Sequence, residues 1–296
     1  MLQSPLLSAP ALGLNRPLLV IDVQHGLCNR LRALASAAVL ADASGRQLVV
    51  LWRTDAHCEA RARDLLHLNV PVIEDHTGDL LRERAARVYN YMEIEPGAQF
   101  GAPVQTDGPE DIFVRSAYVL VSPLADPRAE TAFLRTLRPS DTVLDLVRSQ
   151  PDRFDLALHV RMATGPGFDH LPHESPSNWP ENRHAELTQW RQDSHVRQFT
   201  ARLDALVAQG DTNRIFAAAD LASTYDALAD RFGDRVRFLH RDLYDRSPRQ
   251  MQYALADLIL LTRAPLFLAS TGSSFSDMAR RLARPGRKTE HSGADF

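Results

Sequence analysis

PLLVIDVQHGLCNRLRALASAAVLADASGRQLVVLW, residues 17–52, reads as strand, short loop, helix and strand. Pro17 to Val23 is a short apolar run with β-branched residues, the composition of a buried strand, and Gly26 breaks it. Leu31, Leu34, Ala35, Ala38 and Val39 then recur at helical spacing, and Gly45 supplies a stop. QLVVLW, residues 47–52, is the second strand. Parallel strands need such a crossover, so the unit is a right-handed βαβ and GLCN falls at the carboxyl edge of a parallel sheet.

The pattern continues on both sides of the chain's middle. CEARARDLLH, residues 58–67, reads as a helix and residues 70–73 as a short strand. RVYNYMEI and DIFVRSAYVLV have β composition, with an irregular connection marked by Pro96, Gly97, Gly101 and Pro103. Residues 131–137 and 141–148 look helical and are separated by Pro139. An interdomain crossing is expected near Gln150 and Pro151. FDLALHVRM, residues 154–162, then restarts the α/β pattern with a strand. A Pro- and Gly-rich stretch, residues 163–183, follows; a loop of that length is either a lid or acceptor-binding loop, or a solvated insertion. Residues 185–209 read as one long amphipathic helix, 214–219 as a strand ending at Asp220, 222–232 as a helix and 236–240 as a strand. A helix from Pro248, N-capped by Ser247, leads to the strand LFLAS, and the helix SDMARRLA leaves from STGSSFS. The polar tail from about residue 285 is expected to be disordered.

The simplest architecture is two Rossmann-like α/β domains, 1–150 and 151–296, facing across a cleft. A chain of 296 residues, 44% hydrophobic, buries a core of that size. Its formal charge of -3 gives no global reason to bind nucleic acid or an anionic membrane, so any phosphate must be held locally. Cys28 and Cys58 form neither a disulfide framework nor a zinc spacing. The opening MLQSPLLSAPALGLNR carries Pro5 and Pro10 and has no basic n-region, a poor signal peptide, and no run is long enough to span a membrane. A cytoplasmic location is the expectation.

Several loops fall at carboxyl strand ends, where open α/β sheets bind ligands: residues 26–30, 159–161, Asp220 and 270–276. Arg161 is always charged and offers a planar fork of donors. It reads either as a diphosphate clamp or as a strand-capping residue paired with a surface carboxylate. Backbone N–H groups at the start of the helix after STG, with the hydroxyls of Ser273, Ser274 and Ser276, suit a diphosphate without a metal; equally, Ser273 or Ser274 serves as an N-cap. Asp220 suits the N1–H and N2–H edge of guanine, or caps the next helix. His159 is a ligand contact or a hydrogen-bonded strand-end histidine. Asp257 reads as a structural hydrogen bonder on an apolar helix face. HGLCNR is neither a GxGxxG fingerprint nor a Walker loop, which argues against an ordinary dinucleotide or ATP site.

GLCNRLRALASAAVLADASGRQLVVLW, ALHVRM and DRSPRQMQYALADLILLTRAPLFLASTGSSFSDMARRL together resemble the GDP-fucose transferases: the bacterial nodulation-factor α1,6-fucosyltransferases, their animal core α1,6 relatives and the peptide O-fucosyltransferases. The pieces stand in the family order and span most of the chain, with GxxNR, HxR and SSFS as its motifs. The resemblance implies a GT-B fold, GDP-fucose as donor, inversion at the anomeric carbon and no required metal or other cofactor. It places Asn29 and Arg30 near the donor diphosphate, and Arg161 on the β-phosphate and leaving oxygen. Ser273, Ser274, Phe275 and Ser276 would cradle GDP, and Asp220 would read guanine. Cys28 replaces a small glycine of the family, Met162 a second arginine, and the acidic residue soon after HxR is displaced into the Pro-rich stretch.

The expected activity is transfer of fucose to a glycan or peptide hydroxyl through an oxocarbenium-like transition state, with Arg161 stabilising the departing phosphate. Asp169 and Glu174 are the candidate bases, with His170 and His173 behind them. The alternatives are a transferase of the same fold using another nucleotide sugar, and a non-catalytic sugar-nucleotide or glycan-binding protein.

Overall fold

The computed structural model describes residues 16–164, 167–168, 170–210 and 212–296. The opening segment weighed as a signal peptide and the candidate base Asp169 lie outside the described residues. The chain divides into two compact units, Met1–Ser140 and Asp141–Phe296.

The first unit runs β1 (Leu18–Val23), α1 (Leu27–Ala43), β2 (Gln47–Leu51), α2 (Ala62–Leu65), β3 (Leu66–His67), β4 (Val72–Ile73), α3 (Asp79–Arg84), β5 (Arg87–Asn90), β6 (Ile112–Ser116), α4 (Pro127–Thr136) and β7 (Arg138–Pro139). Its main sheet has the order β4-β2-β1-β6-β5 with parallel pairs throughout. β1 is buried on both faces, as a central parallel strand must be: Leu18 and Val20 pack with Val49, Leu51, Leu81 and Phe113. Each buried side chain of this size contributes about 1.5–3 kcal/mol relative to exposure. Strand order reverses between β1 and β6, so this unit's switch point lies at the ends of those two strands.

The second unit runs α5 (Asp141–Arg148), β8 (Leu156–Val160), α6 (Glu181–Asp193), α7 (Val196–Ala208), β9 (Ile215–Ala219), α8 (Ala222–Phe232), β10 (Val236–Arg237), α9 (Pro248–Leu261), β11 (Leu266–Ala269), α10 (Ser274–Leu282) and β12 (Lys288–His291). The sheet order is β10-β9-β8-β11-β12, again all parallel. Leu156, Leu158 and Val160 of β8 pack with Phe199 and Leu203 of α7 and Tyr225 and Leu228 of α8. The switch point lies between β8 and β11.

Some expectations from the sequence need correction. The polar tail is ordered: β12 pairs with β11 from Leu266↔Lys288 to Ala269↔His291, and Phe296 packs edge-on against Phe199 with ring centroids 5.1 Å apart. Polar composition does not prevent an edge strand, because its ladder uses backbone groups and the Glu290 carboxylate accepts two hydrogen bonds from Arg202. The long helix expected over 185–209 is two helices. His195 interrupts it and caps α7 by accepting from the Arg197 N–H at 3.2 Å, while buried Ser194 bonds Ser292 at 2.8 Å. The helix expected over 58–67 shrinks to the four residues of α2, and the strand over 236–240 to two. The stretch 163–183 holds 3-10 turns at Pro172–Glu174 and Pro176–Asn178 before α6 begins. The unit boundary falls about ten residues before the crossing expected at Gln150, because α5 packs on α9 of the second unit.

Candidate functional site

β8 and β9 are in register up to Val160↔Ala219, so both strands leave the sheet at one level and deliver Arg161 and Asp220 side by side. Arg161 Nη1 donates to Asp220 Oδ2 and Nη2 to Glu174 Oε1. Asp220 also accepts the backbone N–H of Met162 at 3.0 Å and of Ala163 at 2.8 Å. Burial acts to raise the Asp220 pKa, but Arg161 and these two amides outweigh it and hold the carboxyl below its ordinary range. Glu174 is likewise depressed, with Arg161, Arg246 and the Thr164 hydroxyl overcoming burial. For Arg161, burial disfavours the charge, yet Glu174 and Asp220 raise its pKa above the usual guanidinium value.

On the other side of β8, the β11 loop is stitched to the same strand. The Ser270 hydroxyl donates to His159 O at 2.8 Å and accepts the Arg161 N–H at 2.9 Å. The Ser276 hydroxyl accepts the Ser270 N–H at 3.1 Å and sits 2.8 Å from His159 Nδ1. Burial, with Arg161 and Arg191 adding to it against Asp220, pushes the His159 pKa down to about 3, so the imidazole is neutral. The Phe275 ring packs on it at 4.7 Å. Ser273 is the N-cap of α10, accepting from the Ser276 N–H. Among the described residues the N–H groups of Ser274 and Phe275 meet no protein acceptor, so they are the open donors of this helix start.

Side chains that sequence reasoning missed complete the cluster. Trp190 and Arg191 of α6 dock on the STG turn. Arg191 donates to the carbonyls of Thr271 at 3.2 Å and Gly272 at 3.1 Å, and weakly to the Thr164 hydroxyl at 3.4 Å. Burial and then Arg161 lower its pKa to about 10. Arg246 Nη2 lies 3.6 Å from Glu174 Oε1. No periodicity could flag Arg191, since the few apolar residues of α6 form no stripe and Arg191 is its buried residue. Of the other candidate bases, His170 is exposed and His173 half-buried.

The residues expected from the first loop have a different setting. Arg30 is fully buried and its guanidinium is spent inside the first unit: Nε donates to His25 O, Nη1 to Arg53 O and Nη2 to Asp55, each at 2.7 Å. It ties the β1 loop to the end of β2 rather than presenting a free cation. Asn29 sits in the first turn of α1, and its Oδ1 is buried without a partner among the described residues. At the switch point of this unit Arg115 bridges Asp22 and Glu95, and Arg53 bridges Asp22 and Asp79. His25 takes a left-handed φ of 62° and stacks on His57 at 4.6 Å.

Among the described residues no three His, Cys, Asp or Glu side chains gather into a metal-holding group, and no helix is long and apolar enough to cross a membrane.

No family model matches the chain, and no curated protein matches its sequence. Solved structures do match it. NodZ α-1,6-fucosyltransferase soaked with GDP-fucose superposes with a TM-score of 0.61 at 17% identity, covering 91% of this chain and 93% of that one. Fucosyltransferase NodZ from Bradyrhizobium gives 0.61 at 17%, over 91% and 94%. POFUT1 in complex with GDP-fucose gives 0.53 at 11%, over 94% and 98%. The resemblance carried by GLCNR, HVR and STGSSFS therefore extends to the whole architecture: the chain has the GT-B fold of these fucosyltransferase structures.

Proposed function

We propose that this protein is an inverting glycosyltransferase that moves fucose from GDP-fucose to a hydroxyl of a glycan or peptide. The observation that supports it most is Arg161, oriented by Asp220 at the switch point of the second sheet, in a loop cluster that also holds the open N–H groups of Ser274 and Phe275. That edge suits a diphosphate, because helix-start N–H groups and a guanidinium both favour negative charge. The matched structures that carry GDP-fucose support the choice of donor.

In this reading the acceptor oxygen attacks the anomeric carbon as the bond to the β-phosphate oxygen breaks, and GDP departs with the electron pair. Arg161 acts most strongly on the charge that develops there. Phe275, packed on His159, offers a face to the base or ribose. The acceptor proton passes to a carboxylate of the 163–183 stretch, for which Glu174 and Asp169 are the residues. No residue cluster is assigned to a metal.

One observation favours a second reading, the same chemistry with another nucleotide. Both Asp220 oxygens are engaged, by Arg161 and by two amides, which leaves the guanine-reading role without a free carboxylate edge. A thermal-shift panel of GDP, UDP and ADP decides between them. A ligand at 100 times its dissociation constant stabilises by about 2.7 kcal/mol. Stabilisation by GDP alone, with release of fucose from GDP-fucose, is expected; stabilisation by UDP or ADP instead would replace the donor. Binding without turnover across glycan and peptide acceptors would make the protein a non-catalytic relative.

A further inference from the structure

We infer that Arg191 is a donor-diphosphate residue, and that Glu174 holds the diphosphate's place on Arg161 until the donor arrives. The inference rests on the donor reading above and names how that site is filled.

Arg191 is 7% exposed, and all of its bonds go to neutral acceptors: the carbonyls of Thr271 and Gly272 and the hydroxyl of Thr164. Among the described residues no carboxylate pairs with it. A buried guanidinium ordinarily has an anionic partner, because removing a charge from water without one is costly. The Thr164 hydroxyl that Arg191 reaches also donates to Glu174 Oε2 at 2.8 Å, and Glu174 Oε1 accepts from Arg161. Arg191, Thr164, Glu174 and Arg161 thus form one linked row. The carbonyls that hold Arg191 belong to the turn that leads into the open N–H groups of Ser274 and Phe275.

The local charges favour exchange. Among the described residues of this row Arg161 and Arg191 face Asp220 and Glu174, and withdrawal of Glu174 leaves a positive excess for an arriving diphosphate. Glu174 is the member suited to leave. It sits in a short 3-10 turn of an irregular stretch, whereas Asp220 directly follows β9 and is anchored by two backbone amides. Released from Arg161, the Glu174 carboxylate loses the largest of the contacts that depress its pKa and gains basicity as the donor arrives.

Calorimetric titration of inorganic pyrophosphate and of GDP into the wild type, Glu174→Gln, Arg191→Gln and Arg191→Lys tests this. Glu174→Gln is expected to bind pyrophosphate about tenfold more tightly, and Arg191→Gln about tenfold or more weakly, with Arg191→Lys between. Guanosine as control separates a phosphate contact from a general distortion, because a purely structural Arg191 would weaken guanosine in parallel. Unaltered pyrophosphate affinity in Glu174→Gln overturns the inference even if Arg191→Gln fails to fold. That result alongside GDP binding to the wild type leaves the donor reading standing. Arg191-dependent pyrophosphate binding with no preference for GDP sinks the guanine donor and keeps the phosphate site. Failure of the wild type to bind either ligand overturns both.

Discussion

The indole of Trp190 lies against Gly272 so closely that a Cβ at residue 272 would stand 1.9 Å from Trp190 Cε3. Gly272 also has a φ of +60°, so glycine is required there for both backbone and space. The contact seats α6 on the turn that precedes α10, which is how Arg191 reaches the Thr271 and Gly272 carbonyls.

Gly272→Ala should therefore unseat α6. The left-handed backbone and the overlap with the ring together cost about 2–4 kcal/mol. A fall of several degrees in Tm, with weakened pyrophosphate binding, is the expected outcome. An unchanged Tm would mean that Trp190 does not hold this position in solution.

Arg161→Lys keeps the charge but not the fork that spans Asp220 and Glu174. Loss of one such transition-state donor costs roughly 3 kcal/mol, about a hundredfold in turnover. Hydrolysis of GDP-fucose by the variant checks it, and wild-type turnover would remove Arg161 from the leaving group.

His159 sets a pH dependence. Burial depresses its folded pKa to about 3, so the unfolded chain takes up this proton first as pH falls. The stabilisation is fully present above about pH 6.5 and is lost progressively as pH falls towards 3, at up to about 1.4 kcal/mol per pH unit. His25, lowered to about 3 by burial and His57, has the same sign. Tm measured between pH 7.5 and 5 should fall, and His159→Asn should flatten the slope by the share of one proton. An equal slope in the variant would show that His159 does not titrate on unfolding.

Arg30→Gln separates a structural arginine from a ligand. Its three bonds lie within the first unit, and losing the buried guanidinium from two carbonyls and the half-buried Asp55 should cost about 3 kcal/mol. Thermal unfolding should report that loss while the folded variant binds GDP with wild-type affinity. A selective loss of GDP binding at unchanged Tm would return Arg30 to the donor.

Much of the site was legible because parallel strands end where the sequence says they end. HVR and STGSSFS each follow an apolar run, and a sheet brings such ends to one edge however far apart they lie in the chain. At Ser273 and His159 the structure supplies the intramolecular half of each alternative: Ser273 caps α10 and His159 bonds Ser276. Asp257 pairs with Arg241, as a structural hydrogen bonder would. A motif gives Arg30 its type and place but not its partners, which are His25, Arg53 and Asp55.

Local pattern alone determined the central strands β1, β2, β8, β9 and β11 and the helices α1, α8, α9 and α10, since apolar periodicity of about two or four residues is a property of adjacent side chains. Strand order, and with it the switch point between β8 and β11, required tertiary structure. So did the ordering of the polar tail on β11, the burial of Arg191 from a helix with no apolar stripe, and the capture of Arg161 by Asp220 and Glu174. These depend on which distant groups share one volume, and charge pairing and desolvation act only once the fold has put them there.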